Sequence, residues 1–157
     1  MTGIYVRLGD LKSVWGHDCD NLGDHPPHAT LVHTGVHFPE AKLRDAAERY
    51  KLRDRLLSLN IEFKTTAEIE EVKREHEDFT RYYVTVEMND ECTDLWTELQ
   101  EPFKKGVWAD YGKCLPAHTT LGWYRCRIEA ARHKQAYESN CATKVYRVPV
   151  RGMYFDL

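Results

Sequence analysis

Two stretches of the 157-residue chain share one pattern, P-x-H-x-T-L: Pro26-Pro27-His28-Ala29-Thr30-Leu31 and, ninety positions later, Pro116-Ala117-His118-Thr119-Thr120-Leu121. Each follows a loop and opens a run rich in β-branched residues, which reads as the start of a strand. Alternate side chains of a strand share a face, so His28 projects with Thr30 and His118 with Thr120, while Leu31 and Leu121 point the other way and anchor each strand in a core. If the two strands lie across one groove, two imidazoles and two hydroxyls converge on one spot. That set of groups suits a phosphodiester. Breaking one requires a proton taken from the attacking oxygen and another given to the leaving oxygen, and an ordinary histidine pKa near ~6.5 lets one imidazole act as base and the other as acid. Each threonine hydroxyl can donate to a nonbridging phosphate oxygen where charge builds. Such chemistry calls for no metal and no cofactor.

Outward from these motifs, the chain reads as a single unit over residues 1–157, the usual size of one domain. Hydrophobic residues at 42% and charged residues at 30% give a chain able to bury a core without staples. The longest apolar runs fall far short of a bilayer crossing, and the first residues lack the apolar stretch of an export signal, so a cytoplasmic protein with no membrane partner is expected. The formal net charge of -3 disfavours a grip on long duplex nucleic acid. A small nucleotide or short oligonucleotide remains an acceptable partner. Five cysteines, Cys19, Cys92, Cys114, Cys126 and Cys141, form no CxxC pair; they read as buried free thiols in a reducing compartment.

The segment ending at Leu8 reads as a first strand, followed by a turn-rich connection to Pro27. A strand from His28 to Thr34 stops at Gly35, and a single helix runs from Ala41 to about Leu59. Ile61–Thr65 is a short strand. The charge-dense Glu68–Glu77 stretch is either a hairpin arm or a solvated loop. Phe79–Met88 alternates most clearly, with Tyr82, Val84, Val86 and Met88 on one side and Arg81, Tyr83, Thr85 and Glu87 on the other. A helix from Cys92 to Lys104 carries Pro102 near its end. His118–Tyr124 is a strand, Ile128–Ser139 a helix, and Lys144–Phe155 one or two strands broken near Pro149 and Gly152.

The two H-x-T-L segments, His28-Ala29-Thr30-Leu31 and His118-Thr119-Thr120-Leu121, resemble the paired H-x-[ST]-φ motifs of the 2H phosphoesterase superfamily. That resemblance implies an α+β fold, bilobal, with antiparallel sheets lining a central cleft and helices outside, one motif coming from each lobe. It also implies hydrolysis of a 2',3'-cyclic phosphate, a 2',5'-oligoadenylate or a cyclic oligonucleotide. Bacterial RNA-processing members often carry Arg five residues after the second histidine, where this chain has Trp123.

For nucleobase contacts the aromatic residues are the natural platforms, since stacking tolerates any base. Tyr124 is the first candidate, sharing the face of His118 and Thr120 if the strand stays regular past Gly122. Tyr83 is the second. The group His25, His28, His33 and His37 resembles a metal-ligand cluster at first sight. A regular strand, however, sends His28 and His33 to opposite faces, so no metal site is expected. His33, His37, His76 and His133 read as surface or half-buried residues, and His17 and His25 as accessory positions. No nucleophile elbow or Gly-rich phosphate loop is present. The rival reading is a nucleotide sensor or adaptor that keeps the cleft without turnover.

Overall fold

The computed structural model describes residues 2–9, 27–35, 38–142 and 147–156. His17, His25, His37 and Cys19 lie outside them, as does most of the connection before the first motif. The described chain is an α+β fold of two antiparallel sheets. Its strands are β1 (Thr2–Leu8), β2 (His28–Gly35), β3 (Asn60–Glu62), β4 (Glu68–Lys73), β5 (Thr80–Glu87), β6 (Lys113–Cys114), β7 (His118–Tyr124) and β8 (Arg147–Asp156). Five of them form one sheet in the order β3-β8-β1-β2-β6, and three form the other, β4-β5-β7. The helices are α1 (Glu40–Arg49), α2 (Leu52–Leu56), α3 (Asp90–Gln100), α4 (Trp108–Tyr111) and α5 (Arg127–Cys141), with a 3-10 turn over Glu101–Lys104.

The expected helix from Ala41 to Leu59 is two helices. Lys51 takes a left-handed conformation, φ 53°, between them, a state usually given to glycine, so nothing in the composition announces the break. Pro102 acts as expected in kind: the α-helix ends at Gln100 and tightens into the 3-10 turn, where the proline's missing N–H costs nothing. At its other end α3 is capped by Asn89, whose Oδ1 accepts from the Cys92 N–H at 2.9 Å, with Asp90 and Glu91 against the helix dipole. Glu68–Lys73 resolves as the hairpin arm, pairing antiparallel with β5. The C-terminal segment is one strand, which takes up its irregularity as a register shift against β1 between Arg7 and Leu8.

One hydrophobic core serves both sheets, and Leu31, Leu121, Val84, Leu43, Leu52, Leu99 and Val148 within it are fully shielded from solvent. Burying Leu31 and Leu121 is worth about 1.5–3 kcal/mol each, which fixes the inward face of both motif strands. Helix α5 packs on one side of the three-stranded sheet, against Tyr82 and Tyr124. His133 belongs to that contact and is 1% exposed, a correction to its reading as a surface or half-buried residue. Cys126 is exposed rather than buried, while Cys141 is buried. Among the described residues no helix is long and apolar enough to cross a membrane.

Candidate functional site

Both motif strands carry the same irregularity. In β2, Tyr5 of β1 stands opposite Thr30 and Ile4 opposite Val32, so Leu31 is an extra residue in the ladder. In β7, Thr85 of β5 stands opposite Thr120 and Val84 opposite Gly122, so Leu121 is extra. Each is a β-bulge at the leucine of P-x-H-x-T-L, and in each the residue after the leucine is buried alongside it. The histidine and threonine therefore keep their shared face, and the residues beyond the bulge change sides.

Two of the sequence expectations are corrected by those bulges. Past Gly122 the strand is not regular: Trp123 stands opposite Tyr83 and Tyr124 opposite Tyr82. Tyr124 is thus on the face away from His118 and Thr120, with its hydroxyl 3.2 Å from His133 Nδ1, and Trp123 takes the place expected for it. Tyr83 does lie on the face of Thr85, His118 and Thr120. His33, likewise, stands opposite Gly3, two residues from Tyr5, which puts it on the side of His28 rather than the opposite one. Burial and the Lys113 charge hold the His33 imidazole below its ordinary pKa. Among the described residues no three His, Cys, Asp or Glu side chains gather as a metal site would require.

The two motifs are joined directly. Thr119 Oγ1 donates to the carbonyl of His28 at 2.7 Å. With standard bond lengths that link keeps the α-carbons of His28 and His118 within roughly 11 Å of each other. Gln100 supplies a second tie. Its side-chain amide is buried and donates to the carbonyl of Leu31 at 2.9 Å and to that of Leu115 at 2.7 Å, so both of its protons are used and the backbone at the first bulge is tethered to the approach of the second motif.

The surroundings of the two histidines differ. His28 stands opposite Arg7 on β1. Its ring meets Tyr5 edge-on at 5.8 Å and Tyr154 at 6.1 Å between centroids, while the two tyrosines stack on each other at 5.4 Å. Among the described residues the buried hydroxyls of Tyr5 and Tyr154 have no hydrogen-bond partner, and burial pushes both phenols up to about 12. His118 stands opposite Glu87 on β5. Its Nδ1 lies 2.8 Å from the carbonyl of Pro116. A carbonyl can only accept, so Nδ1 carries the proton and Nε2 is the acceptor nitrogen of the neutral ring. His118 lines a cavity of about 500 Å³ with Lys64, Thr66, Glu68, Glu70, Thr85, Glu87, Leu115 and Pro116. Lys64 Nζ sits 3.1 Å from Glu87 Oε2 at its edge. His28 is not part of that lining.

The sequence reading missed Tyr5, Tyr154 and Gln100. Tyr5 was one aromatic in an alternating strand, and its contact with Tyr154 joins the two ends of the chain. Gln100 looked like any polar residue near a helix end, and only its burial marks it. Comparison of the chain with protein-family models, with curated proteins and with solved structures finds no match.

Proposed function

We propose that the protein is a metal-independent phosphodiesterase of the two-histidine type, in which His28 and His118 exchange protons with a small nucleotide phosphodiester held between them. The observation that carries this reading is the duplicated build: two H-x-T-L segments on bulged strands, tied at their heads by the hydrogen bond from Thr119 to His28. In this reading the two sheets are the walls of a bilobal domain, and each gives one histidine and one threonine to the cleft between them.

One imidazole, neutral, takes the proton of a water or a ribose hydroxyl as its oxygen bonds to phosphorus. The other, protonated, gives its proton to the leaving oxygen as the P–O bond breaks, so no net proton is lost over the step. His118 suits either part, because the Pro116 carbonyl fixes its tautomer and leaves Nε2 as the nitrogen that would exchange the proton. Thr30 and Thr120 donate to the nonbridging oxygens as negative charge grows on them. The substrates that fit are a 2',3'-cyclic phosphate, a 2',5'-oligoadenylate or a cyclic oligonucleotide.

The test is turnover of a panel of 2',3'-cyclic nucleotides, 2',5'-oligoadenylates and cyclic di- and trinucleotides, with products identified by mass. The expected result is cleavage of at least one class, unaffected by EDTA, with a bell-shaped pH profile from one neutral and one protonated imidazole. Recovery of every ligand unchanged, with binding intact, would instead make the same cleft a nucleotide sensor.

A further inference from the structure

The face of the three-stranded sheet opposite α5 carries more than His118. Beyond the bulge, Trp123 joins Tyr83 on this face, with ring centroids 6.5 Å apart. Trp123 also stacks near-parallel with Phe79, 13° between planes at 6.5 Å. Around these rings lie three guanidinium groups: Arg81 is 4.1 Å from the Trp123 centroid, Arg125 is 3.8 Å from that of Phe79, and Arg74 donates to the Tyr83 hydroxyl at 2.9 Å. Glu77 pairs with Arg81 and lies near Arg74, which leaves this cluster cationic. On β4, Glu70 stands directly opposite Tyr83 and Glu68 opposite Thr85, so around the rings three guanidinium groups meet two carboxylates, Glu77 and Glu70.

A partly exposed stack of rings rimmed by arginines is the surface that binds a nucleobase and its neighbouring phosphates. From His118 to Trp123 is five residues of strand, roughly 15 Å, farther than the base of one nucleotide reaches from its own phosphate. We infer that the Trp123, Tyr83 and Arg125 surface is a distal subsite for a second or third nucleotide, so that the substrate is a short single-stranded oligonucleotide rather than a mononucleotide. The inference rests on the two-histidine reading for the position of the scissile phosphate, and β7 supplies the track between the two sites.

The experiment measures binding of phosphorothioate adenylate trimers, in 2',5' and 3',5' linkage, and of adenosine 2',3'-cyclic monophosphate. Tryptophan fluorescence and calorimetry are read on the wild type, Trp123→Ala, Trp123→Phe and Arg125→Gln. A trimer is expected to quench the wild-type emission. Its affinity should fall roughly 5- to 100-fold in Trp123→Ala and largely return in Trp123→Phe, while its preference over the mononucleotide is lost. Arg125→Gln, an exposed change that leaves folding intact, should lower the salt dependence of trimer binding by about one counterion. A trimer bound by Trp123→Ala and Arg125→Gln as by the wild type overturns the subsite and leaves the two-histidine site standing. Failure of both ligands to bind the wild type or be cleaved by it would remove the reading beneath it.

Discussion

The β1–β2 and β5–β7 pairs make the same local structure from the same six-residue pattern, yet set their histidines in different company. In both, a bulge at the leucine buries two successive residues and leaves histidine and threonine on one face. His28 then meets the buried Tyr5 and the half-buried Tyr154, and stands opposite a guanidinium, Arg7. His118 meets threonines, glutamates and a lysine, and is pinned by a backbone carbonyl. The motif sets the backbone, and the partner strand sets the chemistry around the ring. One half is mainly aromatic, the other mainly charged.

The sharpest way to break the comparison is to remove each ring in turn. His28→Ala and His118→Ala should each lower turnover of the preferred substrate by roughly 10²- to 10⁴-fold, the usual share of a general acid or base, with circular dichroism unchanged. Retained activity in either variant would mean that the halves are alike in shape only.

Gln100→Leu probes what holds the halves together. It strands the carbonyls of Leu31 and Leu115, and at about 1–3 kcal/mol for each buried unpaired group the loss should be roughly 2–6 kcal/mol, read by urea unfolding. A neutral result would show that the tie is dispensable.

Tyr5 sharpens the contrast between the aromatic and the charged half. Its folded pKa, about 12, lies above the ordinary value of 10.0 because burial disfavours the phenolate. The folded state therefore holds the proton more tightly between those values. Its contribution to stability is complete below pH 10 and falls as pH rises toward 12. Tyr154, raised to about 12 as well, acts in the same direction. Tyr5→Phe removes a buried hydroxyl that has no partner among the described residues, so thermal unfolding should show a gain of about 1 kcal/mol at neutral pH and a weaker alkaline decline. A loss of stability at neutral pH would contradict an unpartnered hydroxyl there.

The smallest effects belong to one buried hydrogen bond and one surface ion pair. Thr119→Val keeps the shape and deletes the hydrogen bond to His28, costing about 0.5–1.5 kcal/mol. Glu87→Gln, in an ion pair whose side chains are 44% and 57% exposed, should change stability by less than about 1 kcal/mol.

Much of the frame was legible because strand and helix periods are written in the apolar positions. The alternation of Tyr82, Val84, Val86 and Met88 gave β5 its inner face, and the pattern of Leu43, Ala46 and Ala47 gave α1 its own. What failed depended on single residues whose effect is invisible to a period. The bulges left only a faint trace, the adjacent pairs Leu31-Val32 and Leu121-Gly122. A regular strand through them misplaced Tyr124 and His33 by one face each. Lys51 breaks a helix without being glycine or proline. The four motif residues stand out in the sequence because they repeat, whereas Tyr5, Tyr154 and Gln100 owe their places to contacts between distant segments.

If two imidazoles address one phosphate, a product nucleotide reports it without relying on turnover. Adenosine 2'-monophosphate titrated into the protein, with the histidine ring protons followed by NMR and assigned from the two alanine variants, should shift the His28 and His118 signals together along a single binding curve. Signals from only one of them moving, or each following its own curve, would contradict it.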